Sequence, residues 1–380
     1  MITTIIIFLL ILSLLVFVHE FGHFIAAKKL GVKVEEFAIG FPPRMFKIME
    51  KNGTEYTINW IPIGGFVRLK GEDGSAKKDK DSFAGKELWE KFVILASGVG
   101  MNFLLAIVVI SIGFMIGFPQ YITAGNIDKN ARVKDTKVQV MGTLQDSPAD
   151  IAGILSGDII IAINNGKIEK DSDVTKYINE NKEAKMILEI ERGDEVIQKE
   201  IYATQDIKDE DGNLATDNKK YMIGVSLAEI GIVSYPVHYA FYKGVETTFF
   251  FTRAIIFALY EFFKNLITVH KATVEFTGFI GIAVETGKVM NTGFIYLLQF
   301  IALLSINLAI INFIPFPALD GWRILFLAIE KVRGKAVDEK IENMIHNTGF
   351  ALLMVLIIFI TYRDVMNYKS AFIDFFRKIF

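Results

Sequence analysis

Near the start of the chain, His19-Glu20-Phe21-Gly22-His23 combines two imidazoles with a carboxylate. On a helix, positions four apart share a face, so both rings can reach one metal ion. Glu20, one residue along, is placed to take a proton from a water that the metal acidifies, the logic of the H-E-x-x-H hydrolases. Two histidines leave a catalytic zinc one protein ligand short. The other histidines are His238, His270 and His346, and cysteine is absent. A better third donor is Asp320, in Asn312-Phe313-Ile314-Pro315-Phe316-Pro317-Ala318-Leu319-Asp320-Gly321. Standing alone, Asp320 reads as a helix N-cap; beside a two-histidine site that lacks a ligand, it reads as the third one.

Composition says where such a site lies. Of 380 residues, 52% are hydrophobic and 22% are charged, so the charges must be segregated from long apolar segments. Residues 1–18 carry no charge and are long enough to cross a hydrocarbon core. No Lys or Arg precedes Lys28, so the basic n-region of a signal peptide is missing. The first span is expected over 1–24, with further spans at 92–118, 293–320 and 346–364. Residues 245–267 tempt as a fifth, but Arg253 and Glu261 lie inside it, which suits an interfacial helix within 234–270. A fifth span would also place Asp320 on the opposite side from His19 and His23. Ionisable groups at membrane depth are costly and are functional by default.

Thirteen Lys or Arg in residues 24–91 mark that segment as cytoplasmic. The region between the second and third spans is then extracytoplasmic, and 321–345 is a cytoplasmic loop. The basic tail, 365–380, falls on the outer side against the same rule. A net charge of −2 leaves no footprint for nucleic acid. The missing cysteines exclude disulfides, thiol catalysis and lipoprotein anchoring.

Two soluble parts lie between the spans. Within 25–91, residues 34–70 alternate as strands, with Ile63-Gly64-Gly65 as the turn. Residues 125–232 read as an α/β unit. A strand at 138–144 precedes Ser147 as N-cap and Pro148 as first helical residue. A buried strand at 159–163 leads to an Asn165-Gly166 hairpin. A helix at 171–181, strands at 186–191 and 196–203, a polar loop at 206–220 and Tyr221-Met222-Ile223-Gly224-Val225-Ser226-Leu227 follow. This order, with Ser147-Pro148-Ala149 and Gly157-Asp158 near its start, resembles a circularly permuted bacterial PDZ domain. Such domains bind extended peptides at a sheet edge, here at Ile223, Gly224 and Val225.

The H-E-F-G-H motif, the N-x-x-P-x-P-x-L-D-G motif and the PDZ-like part between them resemble the site-2 protease family over nearly the whole chain. The resemblance implies a polytopic α-helical membrane protein with four transmembrane helices, a membrane-associated β-hairpin over 56–71 and an extracytoplasmic PDZ-like α/β domain. It implies Zn2+ held by His19, His23 and Asp320, with Glu20 as general base. Asn312, Asn102, Tyr56, Ile58 and Trp60 are then expected to hold substrate. The expected substrates are single-span membrane proteins already trimmed by a first protease, such as anti-sigma factors, or remnant signal peptides. The expected site is the cell membrane, with the chemistry near its cytoplasmic side. The alternative is a non-catalytic PDZ-containing membrane adaptor with a structural metal; Glu20 speaks against it, because a structural site needs no base. A metal transporter would carry polar residues along several spans, and the second and fourth have almost none.

Overall fold

A computed structural model describes residues 2–122, 128–182, 184–193, 195–205, 221–268, 278–335, 337 and 339–367. In chain order the elements are α1 (Ile2–Lys29), β1 (Val34–Lys51), β2 (Thr54–Leu69), α2 (Leu88–Ile116), β3 (Phe118–Ile122), β4 (Arg132–Thr143) and α3 (Pro148–Ile151). They continue with β5 (Ile159–Ile163), β6 (Gly166–Lys167), α4 (Asp171–Asn181), β7 (Lys185–Arg192), β8 (Glu195–Tyr202) and β9 (Val225–Ser234). The last five are α5 (Val237–Thr268), α6 (Phe279–Thr292), α7 (Phe294–Phe313), α8 (Asp320–Arg333) and α9 (Glu339–Asn367). The polar loop expected at 206–220, His270, the side chain of His346 and the tail beyond residue 367 lie outside the described residues. The chain divides into two compact units, Met1–Ser111 with Phe241–Phe380, and Ile112–Ala240.

Among the described residues, four helices are long and apolar enough to cross a membrane: Thr3–Lys29, Leu88–Ile116, Phe294–Phe313 and Asn347–Asn367. The third differs from the expected 293–320. It stops at Phe313, six residues are non-helical, and Asp320 opens α8 instead of closing the span. Pro315 and Pro317 impose the break, since neither can donate a backbone bond and each disfavours helix in the residue before it. Asp320 takes the first helical position of α8, where a carboxylate suits the positive end of the dipole.

The hairpin of the first unit also departs from expectation. Its tight turn is Asn52-Gly53, both with positive φ (53° and 71°), as a type I′ turn requires. Ile63-Gly64-Gly65 lies inside β2, on a wide crossing. Residues 34–39 are flanked on both sides: Glu36–Ile39 oppose Glu55–Ile58, and Val34–Ile39 oppose Leu69–Gly65. Residues 44–51 then pair with 59–54. One buried carboxylate fastens this folded-over sheet. Glu36, 4% exposed, accepts from Arg44 at 2.7 Å and Thr57 at 2.8 Å, and pairs with Arg68 at 3.2 Å. Outward, the sheet shows Phe41, Phe46, Ile48, Met49, Trp60 and Ile61.

The second unit is an antiparallel sheet in the order β3-β9-β4-β5-β7-β8, with β6 beside β5. Period-two alternation buries Met186, Leu188 and Ile190 of β7 on one face. They join Val138, Val140, Ile160, Ile163 and Ile223 in one core with α3 and α4. Ser147 caps α3, accepting from the Asp150 N–H, with Pro148 in the first turn. The β5–β6 loop is Asn164-Asn165, both with positive φ, and Gly166 already pairs with Ile163. The expected Asn165-Gly166 turn is thus displaced by one residue, because asparagine also tolerates the left-handed region.

Candidate metal centre

α1 continues to Lys29, so His19 and His23 lie inside it, one turn apart on the face toward α2. The helices can meet there because Gly22 has no side chain: a Cβ would stand 2.4 Å from the Ser97 carbonyl oxygen. Small residues at a membrane-helix crossing permit this backbone approach. Opposite the imidazoles stands Gly98, where a Cβ would lie 2.5 Å from His23 Nε2 and 2.8 Å from His19 Nε2. The space around both Nε2 atoms exists because residue 98 is glycine.

Each ring is oriented by its far nitrogen. His23 Nδ1–H donates to the Ile94 carbonyl at 2.8 Å. Asn102 lies 3.3 Å from His19 Nδ1. Its Oδ1, buried without another partner, accepts the Nδ1 proton when the amide turns about Cβ–Cγ. Both Nε2 lone pairs are thereby left for a metal, the usual device for fixing a ligand tautomer. The Asn102 carbonyl in turn accepts from Ser305 of α7 at 2.8 Å.

Asp320 closes the set. His19 Nε2 to Asp320 Oδ2 is 2.9 Å, His23 Nε2 to Asp320 Oδ2 is 3.3 Å, and the two Nε2 atoms are 3.2 Å apart. Ligands about 2.0–2.1 Å from a tetrahedral zinc stand roughly 3.3 Å from one another, so this triangle fits the ion. These three are the group of possible metal ligands among the described residues. His238 is exposed on α5.

Glu20 is half-buried beside the triangle, and its Oε2 accepts from the Val67 backbone N–H at 3.1 Å. Three acceptors near one another, a carboxylate base and a backbone donor together suit hydrolysis of an amide.

The expected substrate residues fare unequally. Asn312 is half-buried on the last turn of α7. Asn102, 0% exposed, is buried against His19. Tyr56 packs on Phe24 of α1 and Phe37 of β1. Ile58 belongs to the inner segment between 34–39 and 44–51, and Trp60 is 63% exposed. The strand that reaches Glu20 is 65–69. In the second unit, Ile223 is buried and Gly224 is clamped by Leu144 N–H, with Ile223 accepting from Ala149 N–H. Val225 opens β9, which pairs with β4 along its whole length, while β3 covers its other edge only at 229–233.

Sequence reasoning missed Gly22, Gly98 and Val67 as parts of the site. The glycines had a signal, since each stands in a motif beside a ligand or on the facing span; a backbone N–H has none.

Comparison with known proteins comes to the same point. The sequence model of peptidase family M50 matches residues 7–356. The chain is 32% identical to the zinc metalloprotease RasP of Geobacillus kaustophilus, over 96% of this chain and 98% of that relative. It is 28% identical to the regulator of sigma-W protease RasP of Bacillus subtilis, over 96% and 99%. Among solved structures, the PDZ domain of an SdrC-like protein from Listeria monocytogenes is 25% identical, covering 25% of this chain and 92% of that one, with a TM-score of 0.20.

Proposed function

The chain belongs to peptidase family M50 and is a multi-pass zinc metalloprotease of the site-2 type; from that premise we propose that it cuts the transmembrane segments of single-span membrane proteins. The observation that carries this reading is Glu20 beside three converging ligand atoms, on a helix with no other acidic residue and no Lys or Arg before Lys28. His19, His23 and Asp320 would hold the zinc, which when bound would supply a Lewis acid for the scissile carbonyl and lower the pKa of the attacking water. Glu20 takes the proton from that water and returns it to the departing amine, as a C–O bond forms and the C–N bond breaks.

A helical substrate hides its amides, so it must unwind before attack. Segment 65–69 supports pairing with the unwound stretch, because its outward edge brings Val67 N–H beside Glu20. Asn312 would hold substrate backbone from α7. The outward aromatic and aliphatic side chains of the hairpin suit contact with the bilayer.

The basic residues of 24–91 support a cytoplasmic hairpin and zinc site, with residues 125–232 extracytoplasmic. The antiparallel sheet of that unit, with α4 packed on β9, supports a PDZ-like role for Ile223, Gly224 and Val225: excluding substrates whose outer domain has not been removed by a first protease. A relative named for regulating sigma-W makes anti-sigma factors the first substrates to try; remnant signal peptides are the second.

The test is Glu20→Gln, assayed on a model single-span substrate in detergent. Turnover should fall by about 10²–10⁴-fold while zinc stays bound, because an amide cannot accept the water's proton. Turnover at the level of the unaltered protein would sink the assignment.

A further inference from the structure

Two backbone donors on the outward edge of segment 65–69 are held by carboxylates. Val67 N–H donates to Glu20 at 3.1 Å, and Leu69 N–H donates to Glu72 Oε2 at 3.2 Å. The second carboxylate is itself fastened: Glu72 Oε1 accepts from Arg323 at 2.6 Å. Arg323 lies one turn along α8 from Asp320, so Glu72 joins the strand's end to the helix that opens with the third ligand. The two donors are held differently. Glu20 must turn to the attacking water during chemistry, which frees Val67 N–H for a substrate carbonyl. Glu72 has no part in the chemistry, and a charge-assisted bond to a second element keeps it in place.

We propose that the Glu72–Arg323 pair is a register stop that determines which peptide bond is presented to Glu20. This deepens the strand-pairing reading above and rests on it. With Leu69 N–H occupied, an extended segment pairs at Val67 and no further. Side chains alternate with period two along a strand, so a slip of one residue turns every substrate side chain to the wrong face, whereas a slip of two keeps the faces. Val67 and Leu69 are two residues apart. The pair therefore blocks the two-residue slip toward Leu69 that strand geometry otherwise permits. Both are positioning residues; neither touches the reacting atoms.

The experiment maps cleavage positions by mass spectrometry on the full chain in detergent, with zinc content measured in parallel. Glu72→Ala and Arg323→Gln should each give, beside the ordinary product, a second product displaced by two residues. Arg323→Gln is informative because Glu72 remains: a carboxylate that only capped its own turn would still hold Leu69 N–H. Either variant, zinc-loaded and cutting only at the ordinary bond, overturns the proposal. If Glu72→Ala loses zinc, Arg323→Gln decides; if both lose it, the pair is a scaffold for Asp320 and the register role falls. Val67→Pro separates failure of the underlying reading. It deletes an outward donor without breaking a ladder bond and should raise KM about tenfold, the loss of one hydrogen bond. An unchanged KM there would reject strand pairing itself.

Discussion

In the unit made of Met1–Ser111 and Phe241–Phe380, the metal-site side chains are aimed by a few polar atoms and absent side chains; in Ile112–Ala240 the elements are held by an apolar core. His23 is aimed by one carbonyl, His19 by one amide, and the metal's space by one missing Cβ. Val138, Ile160, Leu188 and Ile190, by contrast, share their burial among many exchangeable neighbours. The first arrangement fails at a single atom. The second degrades by degrees, since volume and pattern matter there more than any one contact.

The sharpest break in that comparison is Gly98→Ala. Its methyl would meet both Nε2 atoms within 2.8 Å, so zinc affinity should drop by at least the about 10–100-fold that changes around metal ligands cost. Metal analysis after dialysis checks it, and full zinc in this variant would show that the cradle is not tight. Leu188→Ala should cost about 2–5 kcal/mol in the second unit, read as a lowered unfolding temperature of the full chain. Zinc content should stay unchanged, and its loss would show that the two units are not independent in this respect. Smallest is Gly100→Ala, two residues from Gly98, where a Cβ meets nothing within 4 Å. It should leave zinc unaltered and stabilise α2 by at most about 1 kcal/mol.

The same contrast explains what could be read from sequence. His19, His23 and Glu20 announce themselves, because helix spacing converts directly into a shared face. Asp320 followed by counting ligands. Apolar length located the four long helices, and a short apolar run ahead of a hairpin signal located β5. The hairpin was less legible, because Asn52-Gly53 and Ile63-Gly64-Gly65 are both turn signals and only pairing partners distinguish them. Asn102 was expected through the resemblance to hold substrate, and its 3.3 Å approach to His19 was not legible in the sequence. Glu72, Arg323 and Val67 had no local pattern at all. Their significance arises from contacts between segments far apart in the chain.

The central claim is that His19, His23 and Asp320 hold one zinc ion, with Glu20 free to act as base. Zinc stoichiometry, measured side by side on the unaltered protein, Glu20→Gln and Asp320→Ala purified in detergent, tests it most directly. The account predicts about one zinc per chain in the first two and loss of most of it in Asp320→Ala, since a catalytic zinc takes three protein ligands. Full zinc in Asp320→Ala, with the helices still folded, would contradict the account and show that another group completes the site.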